Sequence, residues 1–129
     1  MGGVSELEAF FDGENPEAVA LFHRFRELVE ACGPSELVLN ETIVSWRRNR
    51  IFAGAFCKGR RLELNVDLTR QAEHPRLLSS FPHTQRVFTH RLRIENESQF
   101  DDALAALLAE SWREVGPGFL RKTPETARI

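Results

Sequence analysis

The sequence has few cysteines, no long apolar run and little net charge, and each shortage excludes a class of protein. Two cysteines occur in 129 residues, whereas small secreted domains held together by disulfides carry more. No apolar stretch approaches the roughly 18 residues that span a bilayer, and the start, MGGVSELEAFF, is acidic where a secretory signal is basic. We therefore expect a cytoplasmic protein without a membrane partner, in which Cys32 and Cys57 are buried, inert thiols.

The net charge of −2 argues against a strongly basic nucleic-acid binder, but the charges are unevenly distributed. Residues 42–93 have a net charge of +8, whereas residues 1–41 carry −7 and residues 94–129 carry −3. The central third is therefore a basic block between acidic flanks, and we expect the binding residues to lie there.

Length and composition indicate one globular domain. With 129 residues, 42% of them hydrophobic and 28% charged, the chain has room for a single core and has ordinary globular usage. We predict one domain over residues 1–129, with an ordered core at about 5–116 and a loosely held tail at 117–129. The sequence contains no repeat and no low-complexity segment.

Apolar residues recur at spacings of three and four near both ends of the chain, which predicts amphipathic helices. One helix spans residues 17–32 after Asn15, a good capping residue, and a shorter helix at residues 5–11 precedes it. The segment at residues 97–116 repeats the pattern, with Ser98 as its predicted cap.

Between these helices the apolar period changes to two, which predicts antiparallel strands. A two-residue loop at residues 49–50 pairs Trp46 with Ala53, and a second turn at residues 58–59 pairs Ala53 with Leu64. Both registers place the same apolar side chains on one face, namely Val44, Trp46, Ala53, Ala55, Leu62, Leu64 and Val66.

Two further strands complete the predicted sheet, at residues 36–39 and 86–94. The connection before the last strand has two prolines, and we predict one helical turn in it at residues 76–79. The fold class is therefore α+β: an antiparallel sheet of about five strands, with N-terminal and C-terminal helices packed on one face and the other face open.

The open face mixes cations, carboxylates, an amide and aromatic rings. It carries Ile43, Ser45, Arg47, Phe52, Gly54, Phe56, Glu63, Asn65, Asp67, Thr89, Arg91 and Arg93. Our first interpretation is that Arg47 and Arg91 clamp a small anionic molecule, while Asn65 fixes its orientation and Phe52 gives an apolar contact. A protein partner, including a second copy of the chain, is the other candidate for this face.

Single-stranded nucleic acid is the alternative ligand. Phe52 and Phe56 lie four residues apart on one face of a strand and would stack on bases, with Arg47 and Arg91 on the backbone. The aromatic-rich signature of the common RNA-binding sheet is absent, and Glu63 on the same face would repel phosphate.

Catalysis and metal binding have little support in the sequence. His90 lies on the predicted core face, where a lone histidine is typically hydrogen-bonded structure. His74 and His83 have no third ligand at a metal-binding spacing. No nucleophile motif or phosphate loop accompanies the carboxylates, so we expect a non-enzymatic domain with no catalytic residues, no metal and no cofactor.

Five segments resemble a known family. They are FFDGENPEAVALFHRFRELVEACGP, TIVSWRRNRIFAGAF, DLTRQAEHPRL, RVFTHRLRI and ESQFDDALAALLAESW, and together they extend from Phe10 to Trp112. The family is a bacterial one of domains of unknown function, numbered fifty-six fifty-five. The resemblance implies a small helix-flanked sheet of frataxin-like shape, and it implies no activity or catalytic residue.

The polar positions that carry this resemblance suggest a further site. They include Arg48, Arg86 and His90, besides the aromatic Phe52. Arg86 and His90 share one side of the last strand, and with Arg48 they would line a pocket at the rim of the sheet. This interpretation competes with a core position for His90 and depends on strand order.

Overall fold

The computed structural model of the chain describes residues 2–119, which begin with two helices. Helix α1 is Gly2–Phe10 and helix α2 is Pro16–Ala31. The side chain of Asn15 accepts a hydrogen bond from the backbone nitrogen of Glu17, which satisfies one of the free N–H groups at the helix start. The predicted start of the main N-terminal helix is therefore confirmed.

The described residues form one antiparallel sheet of six strands, one more than the predicted five. The strands are β1 (Glu36–Leu39), β2 (Val44–Arg47), β3 (Ile51–Lys58), β4 (Arg61–Leu68), β5 (Leu77–Pro82) and β6 (Phe88–Ile94). Their spatial order is β1-β2-β3-β4-β6-β5, so β1 and β5 are the edges. A short 3₁₀ turn at Glu97–Gln99 and helix α3 at Asp102–Glu114 follow the last strand.

The first predicted hairpin register is right and the second is wrong by two residues. Trp46 pairs with Ala53 as predicted, but Ala53 pairs with Val66 rather than with Leu64. The second loop begins at Gly59, whose φ of +61° suits the first position of a tight two-residue hairpin loop. A shift of two residues keeps every side chain on its predicted face, because strand side chains alternate with period two.

A β-bulge between β2 and β3 moves one residue to the other face. Trp46 pairs with Ala53 and Arg47 pairs with Ile51, so Phe52 has no partner in the ladder. The Phe52 side chain is fully buried in the hydrophobic core, and Ile51 is exposed instead. The predicted position of Phe52 on the open face is therefore wrong.

The connection before the last strand contains a strand where we predicted a helical turn. Residues 77–82 form β5, which pairs antiparallel with β6. The register of β5 against β6 shifts between Leu77 and Ser79. Strand β5 is also an edge of the sheet that the described residues form. The broken alternation and the proline at its end conceal this strand from a period-two analysis.

The N-cap of helix α3 lies three residues after the predicted cap, Ser98. The side chain of Asp101 accepts a hydrogen bond from the backbone nitrogen of Leu104 at 2.8 Å, so Asp101 is the N-cap. Ser98 lies in the 3₁₀ turn and does not cap the helix, which corrects the prediction.

Helices α2 and α3 pack against β3 and β4 on one face of the sheet, as predicted. The indole of Trp46 lies at the centre of this layer, stacked on Phe22 at 5.8 Å and meeting Phe25 edge-on at 5.6 Å. A large apolar side chain buried in this way contributes roughly 1.5 to 3 kcal/mol. The predicted loose tail at residues 117–129 falls mostly outside the residues that the structure describes.

Candidate functional site

A groove of about 620 Å³ lies on the sheet face opposite to the helices. Its polar lining consists of Ser45, Arg47, Asn49, Arg50, Asn65, Asp67, His83 and Thr89. Its apolar lining consists of Ile43, Ile51, Ala53, Gly54 and Phe81. The groove therefore draws on five strands, β2 to β6, and on the loop between β2 and β3, which together hold its shape.

The floor of the groove is a row of small or polar residues that pair across the sheet. Gly54 pairs with Ser45 on one side and with Asn65 on the other. A Cβ atom added at Gly54 would lie 3.2 Å from the carbonyl oxygen of Val44, so the strands approach closely there. The absence of a side chain at Gly54 lets Ile43 and Ser45 pack closely against β3 at the floor of the groove.

Asn65 carries a polar atom that the protein leaves unsatisfied. Its Oδ1 atom is buried and accepts no hydrogen bond from the described residues. A buried acceptor without a partner costs roughly 1 to 3 kcal/mol, and such atoms are uncommon in native proteins. A ligand with a hydrogen-bond donor would satisfy this atom.

Asp67 lies at the other end of the groove, held by a neighbouring strand. The hydroxyl group of Thr89 donates a hydrogen bond to Asp67 Oδ1 at 2.8 Å, and Arg50 Nη2 lies 3.9 Å from Asp67 Oδ2. Burial raises the pKa of the Asp67 carboxyl group, and the Thr89 hydrogen bond and the charges of His83 and Arg50 only partly oppose this effect. A buried carboxyl group with a raised pKa in a groove is typical of functional sites.

Two arginines of the groove are weakly engaged by the protein. Arg47 forms an ion pair with Glu36 at 2.8 Å, but both side chains are largely exposed and such pairs contribute about 0 to 1 kcal/mol. Arg50 makes only the long 3.9 Å contact to Asp67, and its Nε atom is buried without an acceptor among the described residues. Both guanidinium groups are therefore available to an anion.

The predicted binding residues are only partly brought together. Arg47 and Asn65 both line the groove. Arg91 pairs with Asn65 across the sheet, but its guanidinium group hydrogen-bonds to the nearly buried Glu63 at 3.1 Å. Arg91 thus belongs to a neighbouring cluster of charges and does not line the groove. Phe52, buried in the core, offers no surface to a ligand.

The proposed rim pocket of Arg48, Arg86 and His90 does not form. Arg48 lies on the Trp112 ring, 3.8 Å from its centroid, and donates a hydrogen bond to the Trp112 carbonyl oxygen at 2.9 Å. Arg86 is exposed, with its guanidinium carbon 5.4 Å from the centroid of the Phe119 ring. These two arginines pack on different aromatic rings.

His90 is in the core, as its alternation predicted. Its Nε2 accepts a hydrogen bond from the backbone nitrogen of Ala72 at 2.9 Å, and its Nδ1 lies 3.2 Å from the carbonyl oxygen of Val66. The proton of the ring therefore lies on Nδ1, which donates a hydrogen bond to the carbonyl oxygen of Val66. His90 joins the segment before β5 to strand β4.

Sequence analysis missed Arg50, Phe81 and His83 as groove residues. Arg50 lies in the loop between β2 and β3, where a long cation has a simple explanation as a solvated side chain. Phe81 and His83 reach the groove only because β5 is a strand beside β6. The uncharged run LLSSF before Pro82 was the available signal for this strand.

The remaining polar clusters offer no metal centre, and the thiols are unreactive. Within residues 2–119 no group of three or more His, Cys, Asp and Glu side chains is arranged to hold a metal ion. Cys32 and Cys57 are free and only partly buried, which corrects the prediction of full burial. Burial, with the charge of Glu14, raises the pKa of the Cys57 thiol to about 11, which leaves little reactive thiolate.

The three helices of the described residues lack the combination of length and apolar character needed to cross a bilayer. The structure thus defines an α+β domain whose sheet has one face covered by helices and a groove on the other. The model of a domain of unknown function, DUF5655, matches residues 7–114, and the chain belongs to this family. Searches of curated proteins and of solved structures found no match. The bacterial origin and the frataxin-like shape stay predictions.

Proposed function

We propose that this protein is a binding domain whose groove holds a small molecule with a carboxylate or phosphate group. The observation that carries this proposal is the pairing of two available guanidinium groups, on Arg47 and Arg50, with the unsatisfied amide oxygen of Asn65 in one groove. The arginines supply charge-assisted hydrogen bonds to the anion, and Asn65 accepts one from a hydroxyl or amino group of the ligand.

The carboxyl group of Asp67 adds selectivity to this groove. A ligand anion near Arg50 competes with Asp67 for the same guanidinium group, which lies 3.9 Å from Asp67. Because burial raises the pKa of Asp67, anion binding is easier when this group holds a proton. The groove should therefore bind anions more tightly as the pH falls and Asp67 takes up a proton.

Thermal unfolding against a panel of small carboxylates and phosphates tests the proposal. A ligand at about a hundred times its dissociation constant adds roughly 2.7 kcal/mol, which raises the midpoint of a domain of this size by about ten degrees. The double variant Arg47→Gln/Arg50→Gln should lose this shift. Arg113→Gln is the matched control, because Arg113 is exposed on α3 and pairs only with its neighbour Glu114 among the described residues.

The nucleic-acid alternative loses one of its two predicted stacking rings. Of the two predicted stacking rings, Phe52 is buried and Phe56 is partly exposed. A salt titration separates the two ligand classes: six neutralised phosphates predict a log-log slope of about −4, from roughly −0.7 for each contact with a single strand. A slope near −1 supports a small ligand bound through one ion pair.

A protein partner is favoured by a separate observation on β5. Leu78 is 45% exposed and Phe81 is 41% exposed on this edge strand, whose outer main-chain groups have no partner strand within residues 2–119. Exposed edges of this kind bind additional strands from a partner or a second copy. Replacing Leu78 with Ser would weaken such binding and leave the anion-induced shift intact, because Leu78 is not part of the groove lining, which distinguishes the two functions.

A further inference from the structure

Three arginines surround a single buried carboxylate on the open face, next to the groove. Glu63 is 3% exposed, and its Oε1 atom accepts a hydrogen bond from Arg91 Nη2 at 3.1 Å. Its Oε2 atom lies 3.7 Å from Arg61 Nε and 3.8 Å from Arg93 Nη2. We call Arg61, Arg91 and Arg93 the arginine cluster.

The arginine cluster has more positive charge and more donors than Glu63 can satisfy. Three guanidinium groups against one carboxylate leave a formal surplus of two positive charges. Only Arg91 forms a hydrogen bond with Glu63, since the other two contacts are longer than hydrogen bonds. The Nε atoms of all three arginines are buried without an acceptor among the described residues.

The sheet holds these arginines in place while their outer parts face solvent. Arg91 and Arg93 alternate along β6, and Arg93 pairs directly with Glu63 of β4. The Arg91 guanidinium carbon is 5.8 Å from the centroid of the Phe56 ring, within range of a cation–π interaction. The three side chains are between 32% and 38% exposed, so a ligand can reach them from solvent.

We propose that the arginine cluster is a second anion site and that it binds the phosphate group of a small phosphorylated molecule. A phosphate monoester carries about −1.5 to −2 charges near neutral pH and three acceptor oxygens, which match the surplus charge and the unsatisfied donors. A carboxylate offers one charge and two oxygens and matches them less well. Glu63 acts as the internal counter-ion that holds the arginines together when no ligand is bound.

This second site does not depend on the groove. Arg61, Arg91 and Arg93 are absent from the groove lining, and Asn65, opposite Arg91, is where the two surfaces meet. A change at Arg93 should therefore weaken phosphate binding at the cluster while every lining residue of the groove is kept.

Isothermal titration calorimetry with inorganic pyrophosphate at low salt tests the proposal. We expect saturable binding that Arg93→Gln weakens by about 10- to 100-fold, the loss of one charge-assisted hydrogen bond. Arg113→Gln should leave the affinity unchanged. Absence of saturable binding up to about 10 mM, or equal weakening by Arg93→Gln and Arg113→Gln, overturns the proposal.

Arg93→Lys guards against a folding defect, because it keeps the charge beside Glu63. It loses the forked geometry of the guanidinium group, so affinity should fall while the circular dichroism spectrum stays that of the wild type. An affinity equal to wild type in this variant and in a folded Arg93→Gln variant contradicts the site. A single-stranded oligonucleotide that binds while pyrophosphate does not, with a slope of about −0.7 per phosphate, overturns the assignment to a small molecule.

Discussion

Asp67 is a residue whose charge the fold does not favour. It lies at the groove wall, where burial raises the pKa of its carboxyl group above the ordinary value of 3.8, and one hydroxyl and the long Arg50 contact compensate only in part. The folded protein therefore holds the Asp67 proton more tightly than the unfolded chain does. Keeping the ionised form at neutral pH costs stability, as is typical of residues retained for function.

Asp67→Asn should raise the free energy of unfolding at pH 7, because it removes a charge that burial disfavours. The advantage should shrink as the pH falls through the raised pKa and should vanish below 3.8, where the carboxyl group is protonated in both states. Urea unfolding between pH 7 and pH 3 measures this. Asp12→Asn, at an exposed position, is the control, and a less stable Asp67→Asn at pH 7 would show that Arg50 and Thr89 outweigh burial.

His90 stabilises the fold through two buried hydrogen bonds of its ring. His90→Leu leaves the Ala72 N–H group without its acceptor and removes the ring donor from Val66. Each lost partner costs about 1 to 3 kcal/mol, so we expect the free energy of unfolding to fall by about 2 to 6 kcal/mol. His23→Leu, on an exposed position of α2, should change it by less than about 0.5 kcal/mol. Equal effects of the two changes would contradict the core role.

The bulge of β3 decides which aromatic ring belongs to the core. Ser111 Oγ of α3 lies 2.8 Å from the carbonyl oxygen of Phe52, so a helix hydroxyl supplies a partner to the residue that the ladder leaves unpaired. The same bulge exposes Ile51 to the groove. The bulge thus places the Phe52 ring in the core and the Ile51 side chain on the open face.

Phe52→Ala should destabilise the fold by about 3 to 5 kcal/mol, the range for removing a buried phenylalanine ring. Phe81→Ala, at a ring that is 41% exposed, should cost less than about 1 kcal/mol. Chemical denaturation measures both. Similar small losses for the two variants would place the Phe52 ring in solvent and return it to the open face.

The start of α3 gives a second comparison within one element. Asp101→Ala removes the cap on Leu104 and should cost about 0.5 to 2 kcal/mol, whereas Ser98→Ala should change the stability by less than about 0.5 kcal/mol. The pKa of Asp101 is lowered, mainly by the hydrogen bond from His74, so its contribution is present above 3.8 and is lost as the pH falls further. Thermal unfolding at pH 7 and pH 3 measures both effects.

Alternation predicted the faces of the strands better than their registers. It placed Val44, Trp46 and Leu64 in the core correctly, because burial depends on period two alone. It could not separate registers that differ by two residues, so the predicted pairing of Ala53 with Leu64 of β4 was wrong. It also missed the bulge at Phe52, because a bulge is set by the packing of the loop and α3 and leaves no mark on the pattern.

The candidate site was less predictable than the fold, because it depends on which strands are neighbours. Arg47 and Asn65 could be assigned to the open face from alternation. Arg91 could not be separated from them, because its partner Glu63 belongs to β4 and the β4 to β6 pairing is not local in sequence. His83 lines the groove because it directly follows strand β5, which the period-two analysis did not predict.

The whole molecule is a sheet with one face covered by helices and the other face open, and we propose that the open face binds anions. The helices cover the apolar face, and the opposite face concentrates the basic central third of the chain in a groove and an arginine cluster. A face built only for solvation would leave neither a concave surface nor buried polar atoms such as Asn65 Oδ1 without partners. We therefore propose that the open face binds small anions.

Anion binding on the open face can be tested by mapping the chemical shifts of backbone amides, with citrate and inorganic pyrophosphate added separately. We predict saturable shifts that centre on Ser45, Gly54 and Asn65 with citrate, and on Glu63, Arg91 and Arg93 with pyrophosphate. Shifts that centre on α2 and α3 with both anions, or no saturable shifts at all, would contradict the account and assign the open face another role.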